Sequence, residues 1–167
     1  MTILVSNAGG GGPKSFDIPM EEFRRAFDLN LFSLFRLAQL AAPVIEESGG
    51  GAMLAITSMA GENTNERMAS YASSKAAANH LIRNLAHDLG PMNIRINGIA
   101  PGAISTHALD SVLTTEIQEA MLARTPLSRL GRPQDIANAA LFLCSSASDW
   151  ISGQILTVSG GGVQELA

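Results

Sequence analysis

The chain has 167 residues, a formal net charge of −4, 46% hydrophobic residues and 16% charged residues. This balance indicates a single globular domain, residues 1–167, with enough apolar side chains to bury a core. The negative charge and the lack of a basic cluster argue against a nucleic-acid partner. The most apolar long stretch, residues 29–45, is interrupted by polar residues and by Pro43, so we expect no membrane span.

The single cysteine, Cys144, lies in an apolar helical run and has no partner for an internal disulfide. We expect a buried, inert thiol, which fits a reducing compartment. The opening apolar run, residues 3–5, is too short for a secretory signal. These features predict a cytoplasmic protein.

Apolar strands and amphipathic helices alternate along the chain. Strands are predicted at residues 3–5, 53–57, 94–100 and 154–158, and the fully apolar first strand is expected inside a sheet. Helices are predicted from about residue 17–20 to residue 47 and over residues 69–89, 116–124 and 132–145. Because a strand–helix–strand unit requires parallel pairing, the predicted fold class is α/β.

A glycine run follows the first strand. It does not match a phosphate-binding loop, because Pro13 stands where that motif needs the glycine before its lysine. Proline also lacks an N–H that could donate to a phosphate. We therefore interpret residues 9–15 as a flexible connection between a strand and a helix.

Asn30 interrupts the apolar stripe of the first predicted helix. Two interpretations stay open. The residue is a polar position at the margin of the stripe, or its side chain or a backbone kink holds a water near a functional site. The histidines of the second helix, His80 and His87, share one face but have no further ligands nearby, so no metal site is expected.

The segment from Ser58 to Lys75 carries the main candidates for chemistry. Tyr71 is the only tyrosine, and Lys75 follows it by four residues, which places both on one helical face. A cation held beside a phenol favours its ionised form and makes it a better general acid or base. Ser58 follows a buried strand, so its hydroxyl is expected at the carboxyl end of a parallel sheet, where ligands bind.

Each of these signals has a plain alternative. A tyrosine and a lysine four residues apart occur by chance in many helices, and a serine after a strand is often a turn residue or a helix cap. Residues 105–124 could likewise form a lid over a ligand or an ordinary surface excursion. The spacing of the motifs along the whole chain is what favours function.

In that order and spacing, the motifs resemble those of classical short-chain dehydrogenases/reductases. The matching residues are Ser6-Asn7-Ala8-Gly9, Asn30, Ser58, Tyr71-Ala72-Ser73-Ser74-Lys75, Asn97 to Gly102, Thr106, Ser152-Gly153 and Gly160-Gly161. Residues 9–13, the segment around Ser58 and the tail at residues 156–166 look most like members of the family that act on hydroxysteroids. The resemblance covers essentially the whole chain.

The resemblance implies a Rossmann-like, doubly wound parallel sheet and a reaction that interconverts a secondary alcohol and a ketone with NAD or NADP. The substrate would be a small alcohol or ketone, with a steroid or bile acid as the narrower expectation, and the assembly a homo-oligomer, either a dimer or a tetramer. The implied catalytic residues are Asn30, Ser58, Tyr71 and Lys75. The implied cofactor-binding residues are Asn7, Ala8, Gly9, Tyr71, Lys75, Pro101, Gly102, Ile104 and Thr106, and no metal is implied.

Within this resemblance Tyr71 exchanges the proton with the substrate oxygen, and Lys75 assists it and binds the nicotinamide ribose. Ser58 polarises the carbonyl group, and Asn30 holds a water in a proton relay. Ser6 departs from the pattern, because the family has an asparagine there.

The larger departure is that no glycine-rich dinucleotide fingerprint precedes Ile3, so the chain looks like the carboxyl-terminal two-thirds of the fold, an incomplete sheet. Two hypotheses follow. The chain is an oxidoreductase by descent, or it is a catalytically weak or inactive remnant that serves as an assembly or ligand-binding module. The open sheet edge predicts that the isolated chain self-associates.

Overall fold

The computed structural model of the protein describes residues 1–64, 66–111 and 113–162. Within these residues, four strands form one parallel sheet in the order β1-β2-β3-β4, which is also their order along the chain. The strands are β1 (Ile3–Ser6), β2 (Gly51–Ile56), β3 (Ile94–Pro101) and β4 (Ile155–Val158). The predicted α/β class, with its Rossmann-like parallel sheet, is confirmed.

The helices connect the strands in the predicted order. They are α1 (Met20–Phe27), α2 (Ser33–Glu47), α3 (Ala69–Leu89), α4 (His107–Asp110), α5 (Thr115–Ala123) and α6 (Pro133–Cys144). Short 3₁₀ turns lie at Met59–Gly61, Gly90–Met92 and Ser146–Ser148. The predicted boundaries agree to within two residues, and α4 adds a short helix where the sequence carried no clear signal. The part of the predicted family-like tail that follows residue 162 lies outside the described residues.

The first predicted helix is not continuous. A π-helical segment, Asp28–Phe32, separates α1 from α2, and Asn30 is its one buried residue. π-helical insertions are uncommon and often mark functional sites. Of the two interpretations of Asn30, the one that places it at the margin of the apolar stripe is wrong, because the residue is buried, and a water held near the site stays a prediction.

Helices cover the two faces of the sheet unequally. On one face, α2 and α3 pack against the sheet in a large core in which Ile45 and Ile82 are completely buried. On the other face, α6 packs through Leu143 against Leu54 and Ile99. The sheet is therefore wound on both sides, but the second core is much smaller.

Strand β1 lies at the edge of this sheet rather than inside it. It pairs with β2 alone among the described residues, and its Ile3 and Val5 side chains are each 47% exposed. The open edge that the predicted incomplete sheet implies is therefore confirmed for the described residues. The apolar character of β1 is typical of an internal strand, but among the described residues no strand pairs with its outer edge.

Two further expectations need correction. Cys144 is half-buried rather than fully buried, because it ends α6 at the margin of the smaller core, and this burial still raises the pKa of its thiol. The connection over residues 9–15 is not free, because the Lys14 N–H donates to the Arg67 carbonyl at 2.7 Å. No helix in the described part of the chain is both long and apolar enough to cross a membrane.

Candidate active site

Tyr71 and Lys75 lie one turn apart in the first two turns of α3, as their spacing predicts. The α3 helix forms because small residues follow Tyr71 and a buried apolar stripe through Ile82 and Leu85 anchors it to the sheet. Tyr71 is half-buried, whereas Lys75 is only 4% exposed. The ammonium nitrogen of Lys75 lies 5.9 Å from the centre of the Tyr71 ring.

The Lys75 ammonium group is held at the carboxyl end of β2. Its Nζ donates a hydrogen bond to the Ile56 carbonyl at 3.0 Å. Burial lowers the pKa of Lys75 from 10.5 to about 8, because the charged form loses solvation. An ammonium has three N–H donors, so directions remain for further acceptors such as ribose hydroxyls or a phenol oxygen.

Ser58 lies two residues beyond β2 and is buried. Its Oγ accepts a hydrogen bond from the Ala60 N–H at 3.1 Å, so it caps the 3₁₀ turn Met59–Gly61. The plain interpretation as a cap is therefore confirmed. It is compatible with the functional one, because a hydroxyl that accepts one bond can still donate its proton elsewhere.

The turn that Ser58 caps packs between α3 and the end of β3. A side-chain carbon built on Gly61 would lie 2.8 Å from the backbone of Lys75 and Ala76, and one on Gly102 would lie 3.5 Å from the Met59 sulfur. These approaches bring the end of β2, the Tyr71–Lys75 helix and the end of β3 to one edge of the sheet. That edge is where an open parallel sheet binds its ligands.

The side chain of Asn30 contacts the glycine run rather than solvent. Its Nδ2 donates to the Gly10 carbonyl at 2.9 Å and to the Ser74 hydroxyl at 3.1 Å, and its Oδ1 accepts from the Gly10 N–H at 3.0 Å. Both Nδ2 donors and one of the two acceptor sites of Oδ1 are thus used inside the protein. The water in a proton relay, which the family resemblance implies, stays a prediction.

The glycine run lies directly against the two candidate catalytic side chains. A side-chain carbon on Gly9 would lie 2.9 Å from the Lys75 Nζ, and one on Gly11 would lie 2.4 Å from the Tyr71 Cδ2. Gly11 also has φ +146°, a backbone conformation that other residues rarely adopt. Close packing on the site therefore accounts for Gly9 and Gly11, whereas Gly10 and Gly12 have room for a side chain.

The remaining predicted cofactor residues lie along the same sheet edge, at different distances from Tyr71. Asn7 and Ala8 follow β1 and are exposed, so they can line a cleft. Pro101 ends β3, and Gly102 lies beside Met59. Ile104 and Thr106 lie further out: the Ile104 side chain reaches to Gly131, and the Thr106 hydroxyl caps α4 by accepting from the Leu109 N–H at 3.3 Å.

A cleft of about 250 Å³ opens beside Tyr71, bounded by the glycine run and by α1. Ser58 and Lys75 are buried and do not line this cleft. The structure therefore brings the glycine run, Asn30, Tyr71, Lys75 and the Ser58 turn together. That Ser58 and Tyr71 face one substrate remains a prediction.

Sequence reasoning missed three positioning groups. They are the Ser74 hydroxyl, Gly11, which lies in the predicted flexible connection, and the Ile56 carbonyl, which belongs to a predicted strand. The sequence signal for Ser74 is its position three residues after Tyr71 and next to Lys75, which places it near both on α3. In the structure this polar residue is buried on the inner face of the helix. The carbonyl and the glycine carried no comparable signal.

Known proteins resemble this chain over nearly all of its length. A family profile described as enoyl-(acyl carrier protein) reductase matches residues 1–162. The chain is 71% identical over 164 residues to a 7alpha-hydroxysteroid dehydrogenase of Escherichia coli (strain K12), covering 98% of this chain and 64% of that protein. It is 40% identical over 159 residues to a 3alpha-hydroxysteroid dehydrogenase of Mediterraneibacter gnavus, covering 95% of this chain and 63% of that protein.

Solved structures agree with the sequence relatives. A 7 alpha-hydroxysteroid dehydrogenase complexed with NADH and 7-oxo glycochenodeoxycholic acid superposes with a TM-score of 0.97 at 70% identity, over 99% of this chain and 65% of that one. A hydroxysteroid dehydrogenase from Escherichia coli superposes with a TM-score of 0.87 at 66% identity, over 98% of this chain and 64% of that one. The chain thus spans slightly less than two-thirds of the length of these relatives.

Proposed function

The chain belongs to the short-chain dehydrogenase/reductase family, and on that premise we propose that it is an oxidoreductase that interconverts a secondary alcohol and a ketone on a steroid, with a bile acid as the preferred class. The observation that carries the proposal is the Tyr71–Lys75 turn, whose buried ammonium lies at the end of β2 beside the phenol ring. The similarity to hydroxysteroid dehydrogenases favours this hypothesis over that of an inactive remnant.

The residues present fit a nicotinamide cofactor at the sheet edge. The buried Lys75 ammonium has N–H donors beyond its bond to the Ile56 carbonyl, and a ribose offers the hydroxyl acceptors that suit them. Tyr71, Lys75 and the turn from Pro101 to Thr106 would hold the nicotinamide end. When bound, that group supplies the hydride.

In the proposed reaction Tyr71 donates its phenolic proton to the ketone oxygen during reduction and accepts it back during oxidation. The ammonium of Lys75 stabilises the phenolate that forms, because an opposite charge nearby favours the ionised phenol. Ser58 donates a hydrogen bond to the same substrate oxygen while its Oγ stays fixed by the Ala60 N–H. Gly9 and Gly11 keep both catalytic side chains in place by close packing.

We also propose that the protein works as a homo-oligomer in the cytoplasm. Large apolar residues are exposed along the π segment and α2. They are Leu29, Phe32, Phe35, Leu37, Leu40 and Val44. An exposed apolar stripe of this length is typical of a protein interface, and a second copy presents the same surface. The free thiol of Cys144 fits a reducing compartment.

The test of the proposed function is reduction of a 7-oxo bile acid by the chain with NADH or NADPH. The reaction is monitored as the loss of absorbance of the reduced cofactor. We expect turnover with one of the two cofactors, and Tyr71→Phe should lower kcat by about a hundredfold or more, because it removes the proton donor. Thermal unfolding of Tyr71→Phe should match that of the unaltered chain. Absence of turnover with both cofactors, or full activity of Tyr71→Phe, would overturn the proposal.

A further inference from the structure

The hydroxyl of Ser74 both donates and accepts a hydrogen bond inside the protein. Ser74 is 0% exposed, and its Oγ donates to the Tyr71 carbonyl at 2.7 Å and accepts from the Asn30 Nδ2 at 3.1 Å. The bond to the carbonyl three residues earlier is common for a serine within a helix. The bond to Asn30 is different, because it joins two elements that are 44 residues apart in sequence.

Asn30 extends this connection to the glycine run. Its amide makes two hydrogen bonds to the backbone of Gly10, one as donor and one as acceptor. A continuous bridge therefore runs from the Gly10 backbone through Asn30 to the Ser74 hydroxyl and the Tyr71 carbonyl. Because Ser74 and Asn30 are both buried, water cannot readily replace either partner.

The position of the glycine run matters to the site on both sides of Gly10. Gly9 approaches the Lys75 Nζ and Gly11 approaches the Tyr71 ring so closely that a side-chain carbon would not fit at either position. A shift of the run by about 1 Å would open both contacts, and catalytic rates depend steeply on displacements of that size. The bridge through Ser74 ties the run to the turn that bears Tyr71 and Lys75, beside the separate backbone bond from Lys14 to Arg67.

We propose that Ser74 is a positioning residue of the site, which fixes the glycine run and the Asn30 segment against the catalytic turn of α3. The proposal rests on the proposed function and assigns to Ser74 no contact with substrate or cofactor. Its effect is exerted through the orientation of the Tyr71 ring. Ser73, the exposed neighbour, provides a matched control, because it is the same residue type on the same turn.

The first test uses the fact that the chain contains one tyrosine, so its ring signals in a nuclear magnetic resonance spectrum are unambiguous. In the unaltered chain we expect a strong nuclear Overhauser effect between the Gly11 Hα protons and the Tyr71 ring. Ser74→Ala should weaken this effect and broaden the ring signals, whereas Ser73→Ala should change neither. Unchanged Gly11–Tyr71 signals in a folded Ser74→Ala would overturn the proposal.

The second test is kinetic and uses the assay described for the proposed function. Ser74→Ala should lower kcat by about tenfold with a much smaller change in KM, because the loss of both hydrogen bonds of the Ser74 hydroxyl misaligns the proton donor rather than the binding surface. Ser74→Thr, which keeps the hydroxyl, should recover part of kcat.

These two measurements separate the two proposals. If the unaltered chain gives no turnover but Ser74→Ala still loses the Gly11–Tyr71 effect, the proposed function fails and the positioning role stands. If turnover is present and Ser74→Ala matches Ser73→Ala in both kcat and spectrum, the positioning role fails alone. If Ser74→Ala does not fold, Ser74→Thr is measured instead. Its spectrum must match that of the unaltered chain for the proposal to hold.

Discussion

The two faces of the sheet differ in how well they are covered, and the candidate site is built from the better-covered one. On the α2–α3 face, buried apolar residues such as Ile82 anchor the helix that bears Tyr71 and Lys75. On the α6 face, a small core forms around Leu143, and β1 leaves Ile3 and Val5 half exposed. The difference indicates that the turn that bears Tyr71 and Lys75 is anchored by a larger buried core than any that the described residues form on the opposite face.

The largest expected effect comes from replacing Lys75, the charged group buried on the supported face. Lys75→Met should lower kcat by about a hundredfold or more, because it removes the ammonium that stabilises the phenolate. The exposed Lys14→Met serves as the control, since it changes the other lysine of the chain. Steady-state reduction of a 7-oxo bile acid measures both. Equal activity of the two variants would contradict the role of Lys75.

Lys75 also predicts a pH dependence of stability. Because its pKa falls from 10.5 to about 8 on folding, the unfolded chain binds more protons than the folded chain between these values. The contribution of Lys75 to the free energy of unfolding therefore rises as pH increases from about 8 to 10.5, and its burial cost is fully present below pH 8. Urea unfolding at pH 7 and pH 9.5 should show this rise in the unaltered chain and in Lys14→Met, but not in Lys75→Met.

The next effect compares a buried position on one face of the sheet with a half-exposed position on the other. Ile82→Ala should lower the free energy of unfolding by about 2–5 kcal/mol, because it opens a cavity at a completely buried position. Ile3→Thr, on the open face, should change it by less than about 0.5 kcal/mol, because the side chain is half exposed and threonine suits a strand. Urea denaturation measures both. Similar losses would show that the two faces are equally packed.

A moderate effect is expected at Arg95, which holds the smaller core together. Its guanidinium donates to the carbonyls of Leu143, Ser145 and Ile151 at 2.9, 3.1 and 3.3 Å, so it satisfies the carboxyl end of α6. Arg95→Met should cost about 1.5–3 kcal/mol in the free energy of unfolding, since charged donors are lost from partly buried acceptors. The exposed Arg83→Met is the control and should stay within about 0.5 kcal/mol.

The smallest effect on stability, and the clearest on association, is expected at the edge of β1. Threonine at both Ile3 and Val5 should leave the unfolding midpoint nearly unchanged while lowering the average mass measured by light scattering. The reason is that the apolar edge strand can pair with another chain. If light scattering shows that the unaltered chain is a monodisperse monomer, the chain does not self-associate through β1 and this prediction is wrong. Leu40→Glu tests the separate stripe on α2 in the same way.

Local patterns predicted most of the fold and the two central site residues. Strands, helices and the Tyr71–Lys75 turn follow from apolar spacing and from an i, i+4 relation, which are properties of neighbouring residues. The π segment at Asn30 and the bridge through Ser74 depend on hydrogen bonds between elements 44 residues apart, which spacing does not encode. The open edge at β1 follows instead from the predicted incomplete sheet, which the strand order of the described residues confirms.

The most direct test of the central claim is the fate of the transferred hydrogen. The chain is given a nicotinamide cofactor that carries deuterium at both C4 positions, as NADH and as NADPH, together with a 7-oxo bile acid. The account predicts an alcohol product one mass unit heavier than that from the undeuterated cofactor, formed by the unaltered chain and nearly absent with Tyr71→Phe. An unlabelled alcohol, or equal labelled product from Tyr71→Phe, would contradict proton donation by Tyr71 to a ketone that receives the cofactor's hydride.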